Sequence, residues 1–377
     1  MLGLAGQRYN ITDVVGALAT GLILGPFGLG LITPDPAMSG IEDISLFFIV
    51  LLIGVEVTTD LFRAHMRKGV LFSFTSFAVP VLIMVFFITE LMHVSTYTAI
   101  AYSVSVGVPS ISIISVLILK GGYQNTADGQ IILLSVVLSD MATFIVIGAI
   151  GRNGIQIVFL LLIIFLFFIL LFLLDLVLRR NTERISNFFD RITSEERGED
   201  VAVVFVIILG LLVSEIFSQL GISFILGSFF AGMIIREDMI GKRFYGILTR
   251  TIRRFNNGFF IPLYFSIAAL QATRPPVSFM MYLAVALAFS SGVGGLLNYL
   301  TARKVNHSVM PRTTVGILGG RGAVGVVAAT LSLQKGLIGG GLYAIVLLAT
   351  VLQALVMPLF IKRGEMEESL RTQEEAV

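Results

Sequence analysis

Apolar residues gather in long runs along almost the whole chain, and short polar stretches separate these runs. We mark twelve runs of 14 to 24 residues, each bounded by charged residues, Gly or Pro. A helix needs roughly 20 apolar residues to cross about 30 Å of hydrocarbon, so the pattern predicts about twelve transmembrane helices. The runs cover residues 11–32, 41–57, 70–91, 96–119, 130–151, 155–178, 201–220, 222–235, 255–271, 277–300, 311–333 and 342–361.

The composition agrees with a membrane protein that has little room for a soluble domain. Of the 377 residues, 56% are hydrophobic and only 13% are charged, whereas soluble domains carry about a quarter charged residues. The net charge is +2 and the basic residues are spread among the loops, which argues against a nucleic-acid partner. The chain has no cysteine, which excludes disulfides, thiol catalysis and thiolate metal sites.

The distribution of basic residues predicts the orientation. Twelve spans place both termini on one side, where the loops hold 22 Lys and Arg residues, and the opposite loops hold only Arg152, Arg274 and Lys335. Cytoplasmic loops are enriched in Lys and Arg, so we expect a multi-pass protein of the plasma (inner) membrane with both termini in the cytoplasm. Residues 241–254 alternate basic with aromatic and aliphatic side chains, which predicts an amphipathic helix in the membrane interface.

One acidic residue, Asp140, lies at the centre of a predicted span. Its nearest charged neighbours along the chain, Asp128 and Arg152, are twelve residues away on either side. An ionisable group at this depth is costly and marks a functional site by default. Two interpretations stay open: a protonated Asp that hydrogen-bonds a neighbouring helix, or a carboxylate in a water-accessible cavity that exchanges a proton for a cation. Glu215, a second acid within a span, lies near its outer end, and we expect an interfacial or subunit-contact role for it.

Two spans contain helix-breaking residues at a similar depth. The fourth run has Gly107 and Pro109 at mid-span, and proline disfavours helix in the residue before it. The eleventh run has Gly320 and Arg321 within a cluster of glycines. The two interrupted spans, the fourth and the eleventh, lie seven spans apart. Because seven is an odd number, the two spans cross the membrane in opposite directions, so the pattern predicts an inverted repeat with two discontinuous helices whose ends meet at an ion site. The alternative is that the glycines only allow tight helix packing.

Arg321 is the only basic residue in the middle of a predicted span. A buried cation could face the C-terminal end of a half-helix or an ionised Asp140, and it would then lower the cost of holding negative charge there. A purely structural role, in which the guanidinium anchors the broken helix, is the alternative.

Six segments, taken in order, resemble the signatures of the monovalent cation:proton antiporter superfamily, and they are nearer to its second, Kef- and Nap-like subfamily. The resemblance spans nearly the whole chain and implies an all-α polytopic membrane fold of thirteen helices, two of which are discontinuous and cross each other. With twelve predicted spans, we expect that this chain lacks the first helix of the family. The segments are GALATGLILGPFGLGLI (16–32), FFIVLLIGVEVTTDLFR (47–63), the SD pair (139–140), LVSEIFSQLGISFILGSFFAGMII (212–235), FFIPLYFSIAAL (259–270) and GGRGAVGVVAA (319–329).

The resemblance also implies two domains: a scaffold that forms a homodimer, and an ion-transport core that moves against it like an elevator. In this chain we expect scaffold helices in residues 1–69 and 201–276, and the two halves of the core in residues 70–151 and 277–361. The remaining segments are a linker helix with a cytoplasmic loop in residues 152–200 and a cytoplasmic tail in residues 362–377.

The chain departs from the family pattern in three places. Ser139-Asp140 replaces the usual Asn-Asp or Asp-Asp pair, which leaves one titratable carboxylate. The first break reads Gly107-Val108-Pro109 in place of Thr-Ser-Pro or Thr-Asp-Pro, so two usual side-chain oxygens are absent. The membrane Lys of many electrogenic members has no counterpart, and the matching stretch offers Ser290 and Ser291 instead.

The resulting hypothesis is an electroneutral antiporter that exchanges Na⁺ or K⁺ for H⁺ within the lipid membrane and needs no cofactor. Asp140 holds either the proton or the monovalent cation, which couples the two fluxes. The cation's oxygen shell would be completed by Ser139, Ser105 and Ser110 and by backbone carbonyls freed at Gly107 and Gly320. The alternatives are a cation channel or substrate transporter of the same fold without proton coupling, and a transport-inactive scaffold or sensor. An enzyme is the least favoured class.

Overall fold

The computed structural model describes residues 13–55, 59–109, 114, 118, 123, 126–163, 165–166, 169, 198–219, 224–235, 237–305 and 309–356. All regular structure within these residues is helical, and they contain no β-strand, which confirms the predicted all-α class. The α-helices are α1 (Asp13–Leu24), α2 (Pro36–Val55), α3 (Thr59–Ser73), α4 (Val79–Met92), α5 (Thr96–Gly107), α6 (Ala127–Ala149), α7 (Gly154–Ile163), α8 (Gly198–Gln219), α9 (Phe224–Ile234), α10 (Glu237–Ile240), α11 (Lys242–Phe255), α12 (Ile261–Leu270), α13 (Met280–Ala286), α14 (Gly294–Val305), α15 (Pro311–Leu318), α16 (Ala323–Gln334) and α17 (Gly340–Val356).

Several of these helices continue into one another through π-helical segments. Phe74–Ala78 joins α3 to α4, Asn256–Phe260 joins α11 to α12, and Leu287–Val293 joins α13 to α14. A π-helical turn contains one extra residue and occurs frequently at functional sites. The third segment contains Ser290 and Ser291, two of the predicted site residues.

Apolar helices of membrane-spanning length account for much of the structure. Within the described residues, five helices are long and apolar enough to cross a bilayer, and they are His65–Glu90, Ala127–Ala149, Gly198–Gln219, Val277–Val305 and Pro311–Gln334. Gly154–Ile163 and Gly340–Val356 are shorter apolar helices. Large side chains such as Phe86 (67% exposed) and Val277 (86% exposed) lie on the outer surface, as expected where helices face lipid. The chain is therefore an integral membrane protein, and the count of twelve spans stays a prediction.

Two of these helices lie in the protein interior. In Pro311–Gln334, 94% of the apolar window is buried, and in Ala127–Ala149 the share is 72%. The other three windows are between 28% and 39% buried, so most of their surface faces outward. The two interior helices carry Asp140 and Arg321, the candidate residues that the sequence places farthest from water.

The described chain divides into two compact units. The first contains residues 13–39, 59–147 and 262–356, and the second contains residues 40–55 and 148–261, apart from the gaps given above. Candidate residues Ser105, Gly107, Pro109, Ser139, Asp140, Ser290, Ser291, Gly320 and Arg321 belong to the first unit, and Glu215 belongs to the second.

Glycine allows close helix contacts inside each unit. In the first unit, a Cβ on Gly21 would collide with the carbonyl oxygen of Ser266, so α1 approaches α12 at backbone distance. In the second unit, Gly54 of α2 and Gly232 of α9 face each other in the same way. Such contacts between small residues are typical of helix packing in membranes.

Helix α11 confirms that residues 241–254 form an amphipathic helix, and its location in the membrane interface stays a prediction. Its buried side chains Phe244, Leu248 and Ile252 recur every four residues and therefore lie on one face. They join Phe47 and Leu51 of α2 in the hydrophobic core of the second unit.

Candidate ion site

Asp140 and Ser139 lie in α6, and each has 0% of its surface exposed. The helix has favourable groups at both ends. At the N-terminus the backbone N–H of Gly129 donates to the hydroxyl of Thr126 (3.1 Å), and Asp128 lies in the first turn. Near the C-terminus, the Lys335 Nζ donates to the carbonyl of Ile147 (2.7 Å). A capping hydroxyl and an acidic residue at the N-terminus, and a basic residue near the C-terminus, stabilise a helix. These contacts hold both ends of α6, and Asp140 lies in the buried part between them.

Ser139 is held by two oxygens. Its Oγ donates to the carbonyl of Ser135 (2.8 Å) and lies 3.0 Å from the Oγ of Ser73. A hydroxyl has one proton, so Ser139 accepts the hydrogen bond that Ser73 donates. Ser73 ends α3 directly before the π-helical segment Phe74–Ala78. Sequence analysis did not select Ser73, since nothing in its run marks which serine would face α6.

The first predicted break is present in the structure. Helix α5 ends at Gly107, and Val108 has extended backbone angles (φ −70°, ψ 127°), as expected for a residue before proline. Pro109 is buried, and Ser110 lies outside the described residues. The Ser105 Oγ donates to the carbonyl of Ala101 (2.7 Å), so its hydroxyl proton is used within the helix and its oxygen can still accept.

The second predicted break is also present. Helix α15 ends at Leu318 and α16 begins at Ala323, so buried Gly320 and Arg321 lie between two half-helices. A half-helix leaves its last carbonyls and its first N–H groups without intrahelical partners. These backbone dipoles lie inside the unit, where they can bind charged groups.

The two broken helices contact each other at backbone distance. A Cβ on Gly325, in the first turn of α16, would lie 2.5 Å from the carbonyl oxygen of Ser105, in the last turn of α5. The end of the helix before the first break therefore lies against the beginning of the helix after the second break.

Arg321 binds the end of the half-helix before it. Its Nη1 donates to the carbonyl of Leu318 (3.4 Å), the last residue of α15, and its Nη2 donates to the carbonyl of Ser290 (3.2 Å). The side chain is 2% exposed. A cation at the C-terminal end of a helix interacts favourably with the helix dipole. The guanidinium therefore fixes α15 to the π-helical segment Leu287–Val293.

Gln353 completes this arginine network, and sequence analysis missed it. The Gln353 Nε2 donates to the Oγ of Ser290, and that hydroxyl donates in turn to the carbonyl of Ala286. Gln353 is 1% exposed in α17. A signal was available, because an amide in the middle of the apolar run 342–361 is costly in a membrane unless it has partners.

Helix α6 and the second broken helix are joined near both ends. The backbone N–H of Val309, just before α15, donates to the buried carboxylate of Asp128 (3.1 Å), and Lys335, just after α16, reaches Ile147. The two helices therefore run side by side in the same direction. Counted from the Asp128–Val309 end, Asp140 and Arg321 are each twelve residues along the chain. Because the two helices run side by side in the same direction, this equal count indicates that they lie at comparable depth.

Two further candidates take no part in the hydrogen-bond network of Arg321. The Oγ of Ser291 is buried and has no hydrogen-bond partner within the described residues, and Ser291 lines a cavity of about 390 Å³ together with Tyr299 and Arg312. Glu215 is exposed in α8 and accepts a hydrogen bond from Gln219. Glu215 therefore lies on the surface of the second unit, and the interfacial or subunit-contact role expected for it stays a prediction.

The first unit contains the kinds of group that a small cation requires. They are a buried carboxylate, buried hydroxyls and the backbone ends of two interrupted helices, and transporters use such helix ends to coordinate Na⁺ and H⁺. Hard cations prefer such oxygen ligands. Within the described residues, no cluster of three or more His, Cys, Asp or Glu side chains could hold a metal ion.

Comparison with known proteins finds similar proteins over nearly the whole chain. The family model described as sodium/hydrogen exchanger, transmembrane, matches residues 1–363. The "Probable Na(+)/H(+) antiporter 3" of Methanocaldococcus jannaschii is 22% identical over 94% of this chain and 91% of its own length. The Na(+)/H(+) antiporter of Enterococcus hirae is 23% identical over 94% and 92%. The structure of the sodium proton antiporter MjNhaP1 from Methanocaldococcus jannaschii at pH 8 has a TM-score of 0.66 and 17% identity, and the similarity covers 95% of this chain and 92% of that one.

Proposed function

The chain belongs to the sodium/hydrogen exchanger family, and we propose that it exchanges a monovalent cation, Na⁺ or K⁺, for protons across the plasma (inner) membrane. It acts as a secondary transporter and not as an enzyme. The family match over residues 1–363 and the antiporter names of its relatives support this proposal. The expected resemblance to cation:proton antiporters is confirmed by the same match.

The proposed chemistry centres on Asp140. The observation that carries it is a fully buried carboxylate at a depth comparable to that of the break between α15 and α16. The carboxylate is neutral with a proton or balanced by a cation, and one group cannot hold both. Ser139, Ser105, Ser110 and backbone carbonyls beside Gly107, Pro109 and Gly320 supply the other oxygens.

Arg321 and the serines of the π-helical segment support this site. Arg321 keeps α15 in place through the carbonyls of Leu318 and Ser290, so the freed backbone groups of the break are held in a fixed arrangement. We assign Arg321 and Ser290 as positioning residues. Ser291, in contact with the neighbouring cavity, is a candidate for the path by which ions or water enter.

We further propose the family architecture for this chain. It has about twelve spans with both termini in the cytoplasm, an inverted repeat whose two discontinuous helices cross, and a homodimer formed by the scaffold helices. The core, in residues 70–151 and 277–361, moves like an elevator against the scaffold. The contact between Ser105 and Gly325 supports the crossing of the two breaks.

The proposed exchange is electroneutral. With one titratable carboxylate at the site, one cation replaces one proton and no net charge moves in a cycle. In proteoliposomes, clamping the membrane potential at different values should leave the exchange rate unchanged. A rate that changes with the clamped potential would contradict the proposed stoichiometry.

The central experiment measures cation-driven dissipation of a pH gradient by purified protein in liposomes. Li⁺, Na⁺ and K⁺ are added in turn, which also identifies the cation. Asp140→Asn should abolish the signal, because an amide cannot exchange a proton for a cation. Glu215→Gln is the matched control, since it removes an exposed acid from α8. Normal exchange by the Asp140→Asn protein would contradict the proposal.

A second candidate function is a cation channel or substrate transporter without proton coupling. It is favoured by the first break, where Gly107 and Val108 carry no side-chain oxygen. This function predicts flux that does not change across the pH range in which carboxyl groups titrate. Flux that moves protons in the opposite direction excludes it.

A further inference from the structure

Arginine side chains line an open groove on α11 in the second unit. The groove has a volume of about 530 Å³, and its lining consists of Gly246, Thr249, Arg250, Arg253, Arg254 and Asn257. These positions recur at spacings of three and four residues, so they share one face of the helix. Among the described residues that form the lining, none is acidic.

The opposite face of α11 holds the helix in place. Phe244, Leu248 and Ile252 are at most 2% exposed and lie in the core of the second unit. The Tyr245 hydroxyl also donates to the carbonyl of Val55 (3.0 Å). The arginine face is therefore turned away from the core, and the groove is presented by a fixed helix.

The groove lies next to the point where the chain becomes apolar. Arg253 and Arg254 stand directly before Phe255, and the apolar segment FFIPLYFSIAAL begins at Phe259. Phe255 and Phe259 are 59% and 56% exposed. Basic residues that flank an apolar segment, with aromatic rings beside them, are typical of the headgroup layer. The cytoplasmic leaflet carries the anionic lipids that attract such basic segments.

We propose that this groove binds the phosphate group of an anionic phospholipid through Arg250, Arg253 and Arg254. A guanidinium group keeps its charge and can donate two parallel hydrogen bonds to phosphate oxygens. Asn257 adds an amide donor. Gly246 leaves space for the headgroup, because a Cβ at this position meets no atom within 4 Å.

The same helix provides a matched control. Lys242 and Arg243 also lie on α11 but do not line the groove, and Arg243 forms an exposed ion pair with Glu199 (3.1 Å). Replacing both by Gln removes as much charge as the double variant Arg250→Gln with Arg253→Gln. If the attraction between the basic helix and anionic lipid were diffuse, both double variants would lose the same amount of binding affinity. A localised site loses binding only when its own arginines change.

The experiment is a calorimetric titration of the purified full chain in detergent. The ligands are dioctanoyl phosphatidylglycerol, dioctanoyl phosphatidylcholine and inorganic phosphate, each titrated separately. We expect saturable binding of phosphatidylglycerol only. Because a basic residue near an anionic surface contributes about fivefold in affinity, Arg250→Gln with Arg253→Gln should weaken binding about 25-fold. The control with Lys242→Gln and Arg243→Gln should stay within about twofold of the unmodified protein.

A second variant tests the groove without changing its charge. Gly246→Phe should fill the open space and weaken phosphatidylglycerol binding by at least about tenfold, with helical circular dichroism and melting temperature retained. Equal binding of phosphatidylcholine would overturn the proposal, and so would inorganic phosphate that binds as tightly as the lipid. An equal loss in the control double variant would also overturn it, because the attraction would then be diffuse.

Discussion

Gly325 is the residue at which the contact between the two broken helices can be tested most directly. A Cβ on Gly325 would lie 2.5 Å from the Ser105 carbonyl oxygen, whereas ordinary contact begins at 3.4 Å. In Gly325→Ala, α5 and α16 must therefore separate locally by roughly 0.9 Å. Such overpacking costs about 1–3 kcal/mol, and only part of it is offset by the helix propensity that Ala gains over Gly, about 0.5–1 kcal/mol.

The expected consequence is slower exchange with the site residues unchanged. If the strain falls on the arrangement that binds the cation, a cost of 1–3 kcal/mol corresponds to a change of about 5- to 150-fold in the equilibrium constant of that arrangement. We expect a decrease of this size in the rate of cation-driven pH dissipation in proteoliposomes. The melting temperature, followed by circular dichroism, should also fall.

Gly148→Ala is the control for this prediction. Gly148 lies in α6 and has no atom within 4 Å of an added Cβ, so the substitution should change only helix propensity. We expect unchanged exchange and an unchanged or slightly higher melting temperature. If Gly325→Ala behaves like Gly148→Ala in both assays, the close contact between the broken helices has no functional role and our reasoning is refuted.

Three other substitutions test hydrogen bonds seen in the first unit. Gln353→Leu removes the donor to Ser290 and should lower stability by about 0.5–1.5 kcal/mol and slow exchange; normal exchange would show that Ser290 does not need this support. Thr330→Val removes the hydroxyl that accepts the hydrogen bond of the buried Tyr264 and should lower the free energy of unfolding by about 1–3 kcal/mol, whereas Thr330→Ser keeps the acceptor and should not. Equal melting temperatures of the two variants would contradict this. Lys335→Met removes the cation at the Ile147 carbonyl and should cost about 0.3–1 kcal/mol, an effect that should vanish in high salt; a salt-independent loss would argue for packing.

Some of the structure could be predicted from local patterns. The predicted spans 130–151 and 311–333 agree within a few residues with Ala127–Ala149 and Pro311–Gln334. The breaks at Gly107 and Gly320 are confirmed, because glycine and proline change backbone preferences wherever they occur. The run 70–91 did not predict where its helix begins, because the helix starts at Thr59, in a segment that contains basic residues. Hydropathy reports the part of a helix that can lie in hydrocarbon and not its polar extension.

The partners of the site residues could not be predicted. Ser73, Ser290 and Gln353 each hold a residue of the candidate site, and each partner lies on a separate helix far away along the chain. The π-helical segments had no signature in the apolar pattern either. Their extra residue can rotate the side chains that follow, so the contacts available to Ser290 depend on tertiary packing.

The sequence by itself determined that this chain lies in a membrane, that its regular structure is helical, and that Asp140 and Arg321 are the ionisable residues in the middle of apolar runs. The physical reason is local: a charge in an apolar run is costly whatever its neighbours are. Only the tertiary structure decided that Arg321 binds the end of α15 and the carbonyl of Ser290, and that Asp140 lies at a similar depth. Those relations depend on which helices lie side by side, and a one-dimensional pattern of polar and apolar residues does not contain that information.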